Sequence, residues 1–216
     1  ILPKIKKLNP SAHLAFYGLY ATINKDLLRS LGGKTIISGE FEDSLVQLYQ
    51  QLVDRTFVMD SDLVSLKRQI FRKPKRNDLP NLDHYAKLKI GKDQSIIVGY
   101  TESTRGCKHI CRHCPIVPVY NGRFFVVQPE VVMADIRQQV EAGAKHITFG
   151  DPDFFNGPGH AIRLIESFHV EFPNLTYDAT IKVEHLLAHR DKLRRLAETG
   201  CLFVTTAVEE VDDNVL

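Results

Sequence analysis

Hydrophobic and polar positions follow two rhythms along this chain. Short apolar and β-branched runs at residues 12–18, 34–39, 95–101, 146–150, 175–180 and 201–208 predict strands buried on both faces, as in a parallel sheet. Between them apolar residues return at helical spacing, which predicts helices over 24–31, 43–53, 129–142, 161–171 and 186–199. In 129–142, Val132, Ile136 and Val140 form one stripe, with Pro129 near its start and Gly143 at its end. Asn24 is placed to cap the helix over 24–31, Gly32 and Gly33 end it, and the acidic first turn of 43–53 suits a helix N-terminus. Leu63, Leu66 and Ile70 repeat at helical spacing, so 63–71 reads as helical too. Glu209, Glu210, Asp212 and Asp213 open a last predicted helix.

Strand–helix alternation of this kind predicts an α/β fold with parallel sheets and right-handed crossovers. Residues 1–59 read as part of one open α/β sheet, residues 60–93 as a linker, and residues 94–216 as a second core with four strands. The linker holds a basic, Pro-broken run at 72–78, expected to be a solvated face. In open α/β sheets ligands sit beyond the carboxyl ends of the strands, where Gly18 and Gly39 fall in the first segment.

Composition narrows the function classes. Hydrophobic residues make up 44% of the 216 and charged residues 25%, as in an ordinary soluble domain. Lys plus Arg number 28 against 26 Asp plus Glu, a net charge of +2, so no nucleic-acid footprint is indicated. No apolar run has the length of a membrane span, and sparse, clustered cysteines fit a reducing cytoplasm. The chain starts Ile-Leu-Pro and ends inside a predicted helix, so it reads as a fragment of a longer protein.

Chemistry concentrates in Gly106-Cys107-Lys108-His109-Ile110-Cys111-Arg112-His113-Cys114-Pro115. Cys107, Cys111 and Cys114 are spaced Cys-x3-Cys-x2-Cys on the loop after the strand at 95–101. Three thiolates on one short loop can each reach a different iron of a cubane cluster and leave the fourth iron open, whereas a cluster that only carries electrons takes four cysteines. A zinc site competes, because His109 and His113 interleave with the cysteines. It lacks a second Cys-x2-Cys or His-x3-His pair, since the one remaining cysteine, Cys201, stands by itself at the start of a strand. Cys201 is read as a buried structural thiol.

The cysteine spacing resembles the signature of the radical S-adenosylmethionine (SAM) enzymes, with one departure: His113 stands where the family often has an aromatic residue. The resemblance implies a partial (β/α) TIM-like barrel and a [4Fe–4S] cluster on Cys107, Cys111 and Cys114 whose open iron holds the amino and carboxylate groups of SAM. It further implies one-electron cleavage of SAM to a 5′-deoxyadenosyl radical that takes hydrogen from an unidentified small-molecule or peptide substrate, with a reductant such as flavodoxin or ferredoxin. Gly150-Asp151-Pro152 stands where the family receives the SAM amino group. Thr180, Lys182 and Glu184 stand where side chains meet its carboxylate or hydroxyls, and Glu209 where the ribose is bound. Each has a plainer reading, as a turn residue, a surface lysine or a helix-start acid. Phe154, Phe155, His160 and Tyr120 are expected near the mouth. The first segment resembles the second half of a Rossmann-like cobalamin-binding domain. Its Asp-x-His-x-x-Gly motif is absent from this chain, and His13 has the wrong neighbours for it. Bound cobalamin thus stays open beside a module that only packs. The alternative to the enzyme is a zinc-stabilised interaction module without catalysis.

Overall fold

Runs of β-branched residues became strands wherever a neighbour was present to pair with them. The computed structural model describes residues 1–57 and 62–208. The chain divides into two compact units, Ile1–Gln69 with Cys107–Arg123, and Ile70–Gly106 with Phe124–Leu216.

The first unit opens with helix α1 (Leu2–Leu8), then β1 (Ala15–Tyr17), α2 (Leu19–Ile23), α3 (Lys25–Ser30), β2 (Thr35–Gly39), α4 (Glu42–Val53) and β3 (Asp62–Ser65). Its sheet has the order β1-β2-β3 and both pairings are parallel. Strand β2 is central and buried along its whole length, which is why it is a continuous β-branched run rather than an alternating one. The register sets Tyr17 opposite Ile37 and Gly39 opposite Ser65, so Gly18 and Gly39 share the carboxyl edge of this sheet. The segment Cys107–Arg123 belongs to the same unit through α5 (Val117–Tyr120), which packs on α2 and β2.

Two expectations fail here. Residues 63–71 are not helical: 62–65 form β3, and Ile70, the last residue of the supposed stripe, is 86% exposed. Pairing with the buried β2 decides a segment whose short apolar pattern suits helix and strand alike. The helix over 24–31 is present as α3 with Asn24 at its N-cap position, but the expected side-chain cap is not made: the Asn24 side chain donates back to the Tyr20 carbonyl at 2.9 Å.

The second unit contains β4 (Lys87–Lys89), β5 (Ser95–Thr101), β6 (Thr104–Gly106), β7 (Phe124–Val126), α6 (Pro129–Glu141), β8 (His146–Phe149), α7 (Pro158–Glu171), β9 (Thr176–Thr180), α8 (Val183–Ala188), α9 (Arg190–Glu198) and β10 (Cys201–Thr205). Its main sheet has the order β10-β9-β8-β5-β4. From β5 to β10 neighbouring strands are parallel and successive, the order of a partial (β/α) barrel, and β4 joins antiparallel at the edge. The helix expected over 186–199 is broken at His189, where φ −122 and ψ 39 leave the helical region and separate α8 from α9.

One face of this sheet makes the core. Ile147, Phe149, Tyr177 and Ala179 meet Val132, Ile136, Leu164, Ile165 and Phe168 of α6 and α7, nearly all without solvent exposure. By strand alternation the opposite face carries Tyr100, His146, Thr148, Thr176, Asp178 and Thr180. Beyond its pairing with β4, the edge of β5 is closed by side chains. Gln139 accepts from the Tyr100 amide at 2.7 Å and donates to its carbonyl at 3.0 Å, and Arg76 donates to the same carbonyl at 2.9 Å. Arg76 also holds Asp135 with two hydrogen bonds of 2.6 and 2.8 Å. The 72–78 run is therefore not wholly a solvated face. Its Arg76 is the partner of a carboxylate that is only 3% exposed.

Candidate functional site

The cysteine segment is an excursion from a short hairpin. Strands β6 and β7 pair antiparallel with Gly106 opposite Phe124, and the next rung is the Cys107 amide donating to the Arg123 carbonyl at 3.1 Å. Inside the segment the backbone turns on itself: the Cys114 amide donates to Cys111 at 3.2 Å and the Val117 amide to Cys114 at 3.3 Å. All three thiols are free of disulfides, Cys107 buried and Cys111 and Cys114 half-buried. Three unbridged thiols on one closed, hydrogen-bonded loop are a donor set that fits three irons of a cubane cluster. The segment ends in α5, and the Tyr120 hydroxyl donates to Glu40 Oε1 at 3.0 Å. Glu40, directly after β2, is fully buried, and Tyr120 is 8% exposed. Tyr120, expected near the mouth, is thus an anchor in the first unit. Neither partner was marked by the sequence as a pair. The signal was an acid directly after a β-branched strand.

Gly150, Asp151 and Pro152 follow β8, as expected. The Tyr100 ring closes over Gly150, where any Cβ would collide with it. The Tyr100 hydroxyl lies 3.2 Å from Glu102 Oε1, and burial, with the charge of Glu102, pushes it up to about 12. The Asp151 carboxylate is 2% exposed. Its Oδ2 accepts from the Ser103 amide at 2.9 Å, and its Oδ1 from the Ser103 and Thr104 hydroxyls at 2.7 and 2.6 Å. Burial pushes this carboxyl up to about 6, even against the hydrogen bonds from Ser103 and Thr104 that favour its charge. Thr180 ends β9, and Lys182 and Glu184 begin α8, with Lys182 Nζ 3.2 Å from Glu184 Oε2. Thr180, Lys182 and Glu184 therefore follow one strand, and Gly150 and Asp151 follow its neighbour. Glu209 lies outside the described residues.

The loop after β8 is otherwise inward-facing. Phe154 and Phe155, expected near the mouth, have no exposure and lie in the core. His160 is 9% exposed, and burial together with Arg163 lowers its pKa. His185 Nδ1 approaches Asp153 Oδ2 to 2.6 Å, with both side chains buried. On the face of the sheet away from the helices, Asp178 Oδ1 accepts from His146 Nε2 at 2.8 Å and from Thr148 at 2.6 Å. Burial and then Asp178 push the Cys201 thiol up to about 11, so it stays protonated at neutral pH. His13 hydrogen-bonds Thr35 at 2.8 Å, a contact inside the first unit.

A family profile described as the Radical SAM superfamily matches residues 101–216. No curated protein sequence matches the chain. Among solved structures, the chain is similar to the radical S-adenosylmethionine methyltransferase TsrM from Kitasatospora setae with tryptophan substrate and the SAM analog aza-SAM bound, at 15% identity and TM-score 0.75. The same protein with cobalamin and a [4Fe–4S] cluster bound gives 14% identity and TM-score 0.71. Each match covers 99% of this chain and 44% of the other. The likeness shows the fold of both segments. No helix among the described residues is long and apolar enough to cross a membrane.

Proposed function

Since the chain belongs to the radical SAM superfamily, we propose that Cys107, Cys111 and Cys114 hold a [4Fe–4S] cluster with one iron left for SAM, and that the whole protein is a radical SAM enzyme. The observation that carries this is three cysteines outside any disulfide on one closed loop whose ends are fixed by the Cys107–Arg123 rung. When bound, the cluster supplies the electron that splits SAM into methionine and a 5′-deoxyadenosyl radical.

The chain's own residues bind and orient. At Gly150-Asp151-Pro152 the acceptors offered to the SAM ammonium are backbone carbonyls, because the Asp151 carboxylate is occupied by Ser103 and Thr104. Thr180, Lys182 and Glu184 offer a hydroxyl, an ammonium and a carboxylate after the next strand, suited to the SAM carboxylate and hydroxyls. Glu209 is assigned to the ribose. The first sheet, with Gly18 and Gly39 on its carboxyl edge, offers a cobalamin-type site, and methyl transfer to a small-molecule or peptide substrate then becomes the reaction. A one-electron reductant such as flavodoxin or ferredoxin completes the system, in the cytoplasm.

The test is metal and product analysis of the full-length protein after anaerobic reconstitution. Iron and sulfide should load together. With dithionite, SAM should yield 5′-deoxyadenosine, or S-adenosylhomocysteine if the reaction is methyl transfer. About one zinc per chain, no sulfide and neither product overturns the enzyme reading in favour of a zinc-stabilised module.

A further inference from the structure

We propose that the loop after β8 is a clamp on β6, the strand that leads to Cys107, with Asp151 and Asn156 as its positioning residues. The proposal rests on the cluster reading only for what the segment carries; the clamp itself is a matter of backbone and hydrogen bonds.

The stretch between β5 and Cys107 is short, and the sheet does not hold all of it. Ser103 and Thr104 leave the parallel sheet after Thr101, and their amides and hydroxyls need partners elsewhere. The Asp151 carboxylate takes the Ser103 amide at 2.9 Å, the Ser103 hydroxyl at 2.7 Å and the Thr104 hydroxyl at 2.6 Å. Five residues further on, Asn156 Nδ2 donates to the carbonyl of Gly106 at 3.2 Å, the residue before Cys107. Gly106 has φ +76, a left-handed conformation in which the chain turns out of β6. Both ends of the three-residue strand β6 are therefore fixed to one loop. Ser103, Thr104, Asp151 and Asn156 are all 3% exposed or less, so water does not compete for these bonds.

A carboxylate that already accepts three hydrogen bonds has about one acceptor position left, a poor provision for a ligand ammonium. An apolar residue at 151 would leave the Ser103 amide and two hydroxyls buried without partners. Asp153 stabilises the clamp itself, since its Oδ1 accepts from the Phe155 amide at 3.0 Å and shapes the turn that presents Asn156. The consequence for function is mechanical. A ligand loop held at its base presents thiolates in one arrangement, whereas a loop free at its base must be ordered by the metal. Groups that orient metal-bearing elements from outside the ligand set change metal retention by about 10–100-fold when lost.

The experiment compares full-length wild type with Asp151→Asn, Ser103→Ala, Thr104→Val and the Asp151→Asn/Ser103→Ala double variant. Three quantities are read: iron release to a ferrous chelator from the loaded protein, SAM affinity of the loaded protein, and amide hydrogen exchange at Ser103 and Cys107 in the metal-free protein. The clamp predicts iron release faster by about 10-fold or more in Asp151→Asn. Ser103→Ala should behave similarly, and the double variant should be no faster than the worse single one. The EPR signal of the reduced cluster should broaden as the loop samples several arrangements, well below the unfolding temperature, which a general loss of stability does not produce. Exchange at Ser103 and Cys107 should rise without metal present. That last reading separates the two proposals, because it can succeed even if the wild type loads zinc rather than iron. If Asp151→Asn fails to fold, Ser103→Ala and Thr104→Val remove only donors and carry the same expectation. Weaker SAM binding in Asp151→Asn, with iron release and exchange unchanged in every variant, overturns the clamp and makes Asp151 a direct SAM ligand.

Discussion

Removing the Tyr120 hydroxyl tests how firmly the exit of the cysteine segment is held. Tyr120→Phe deletes one oxygen and leaves the ring. The hydroxyl donates to Glu40 Oε1 at 3.0 Å, and Glu40 has no solvent exposure. A hydrogen bond to a charged group contributes about 1.5–3 kcal/mol, and a buried acceptor left short of a donor loses a similar amount. Glu40 has other interactions, so the lower part of that range applies, about 1.5–2 kcal/mol. For a chain of this size that is a fall in Tm of roughly 3–8 °C. Glu40→Gln keeps an acceptor and the shape, and should cost less than Tyr120→Phe. The two should couple in a double-mutant cycle by about 1 kcal/mol, because both act on the same bond, one removing its donor and the other weakening its acceptor. The measurements are urea denaturation and hydrogen exchange at the Asn121 and Arg123 amides, which follow α5. Protection there should drop further than at the core amides of β8. Unchanged stability and exchange in Tyr120→Phe would show that α5 is held by apolar packing and that the Glu40 contact adds nothing.

Each of Cys107→Ala, Cys111→Ala and Cys114→Ala should abolish iron–sulfur absorbance, whereas Cys201→Ala should keep it, as read by iron and sulfide content. Asp151 should make stability depend on pH. Its folded value of about 6 lies above the usual 3.8, so the folded state binds the proton more tightly. That stabilisation, about 3 kcal/mol, is fully present below pH ~4 and is lost as pH rises through ~6. Asp151→Asn should remove this component, seen as a difference between the two denaturation profiles over that window. Arg76→Met should cost about 3 kcal/mol or more, because it leaves the buried Asp135 without its cation. Arg76→Met with Asp135→Asn should recover part of the loss, and a merely additive double variant would show that Arg76 is a solvated residue after all.

The local pattern determined the elements that are long or continuous. The apolar stripe of α6 and the β-branched runs of β2, β8 and β9 were legible because their burial is set within one element by its own period. The cysteine spacing was legible for a similar reason, since its donors are neighbours in sequence. Between-element pairing decided the rest. Residues 62–65 became a strand because the edge of β2 was there to receive them, though Leu63, Leu66 and Ile70 also suited a helix. Arg76 left the solvated run for Asp135, a partner 59 positions away. The Asp151 carboxylate faced Ser103 and Thr104 rather than a cavity, a choice that depends on which donors the turn after β5 leaves unpaired. Tertiary structure alone assigned the cysteine segment to the unit built by residues 1–69, through α5 packing on α2 and β2 and through one tyrosine meeting one buried glutamate 80 positions earlier. A hydrogen bond at that separation leaves no periodic trace in sequence, because neither residue's neighbours are constrained by it.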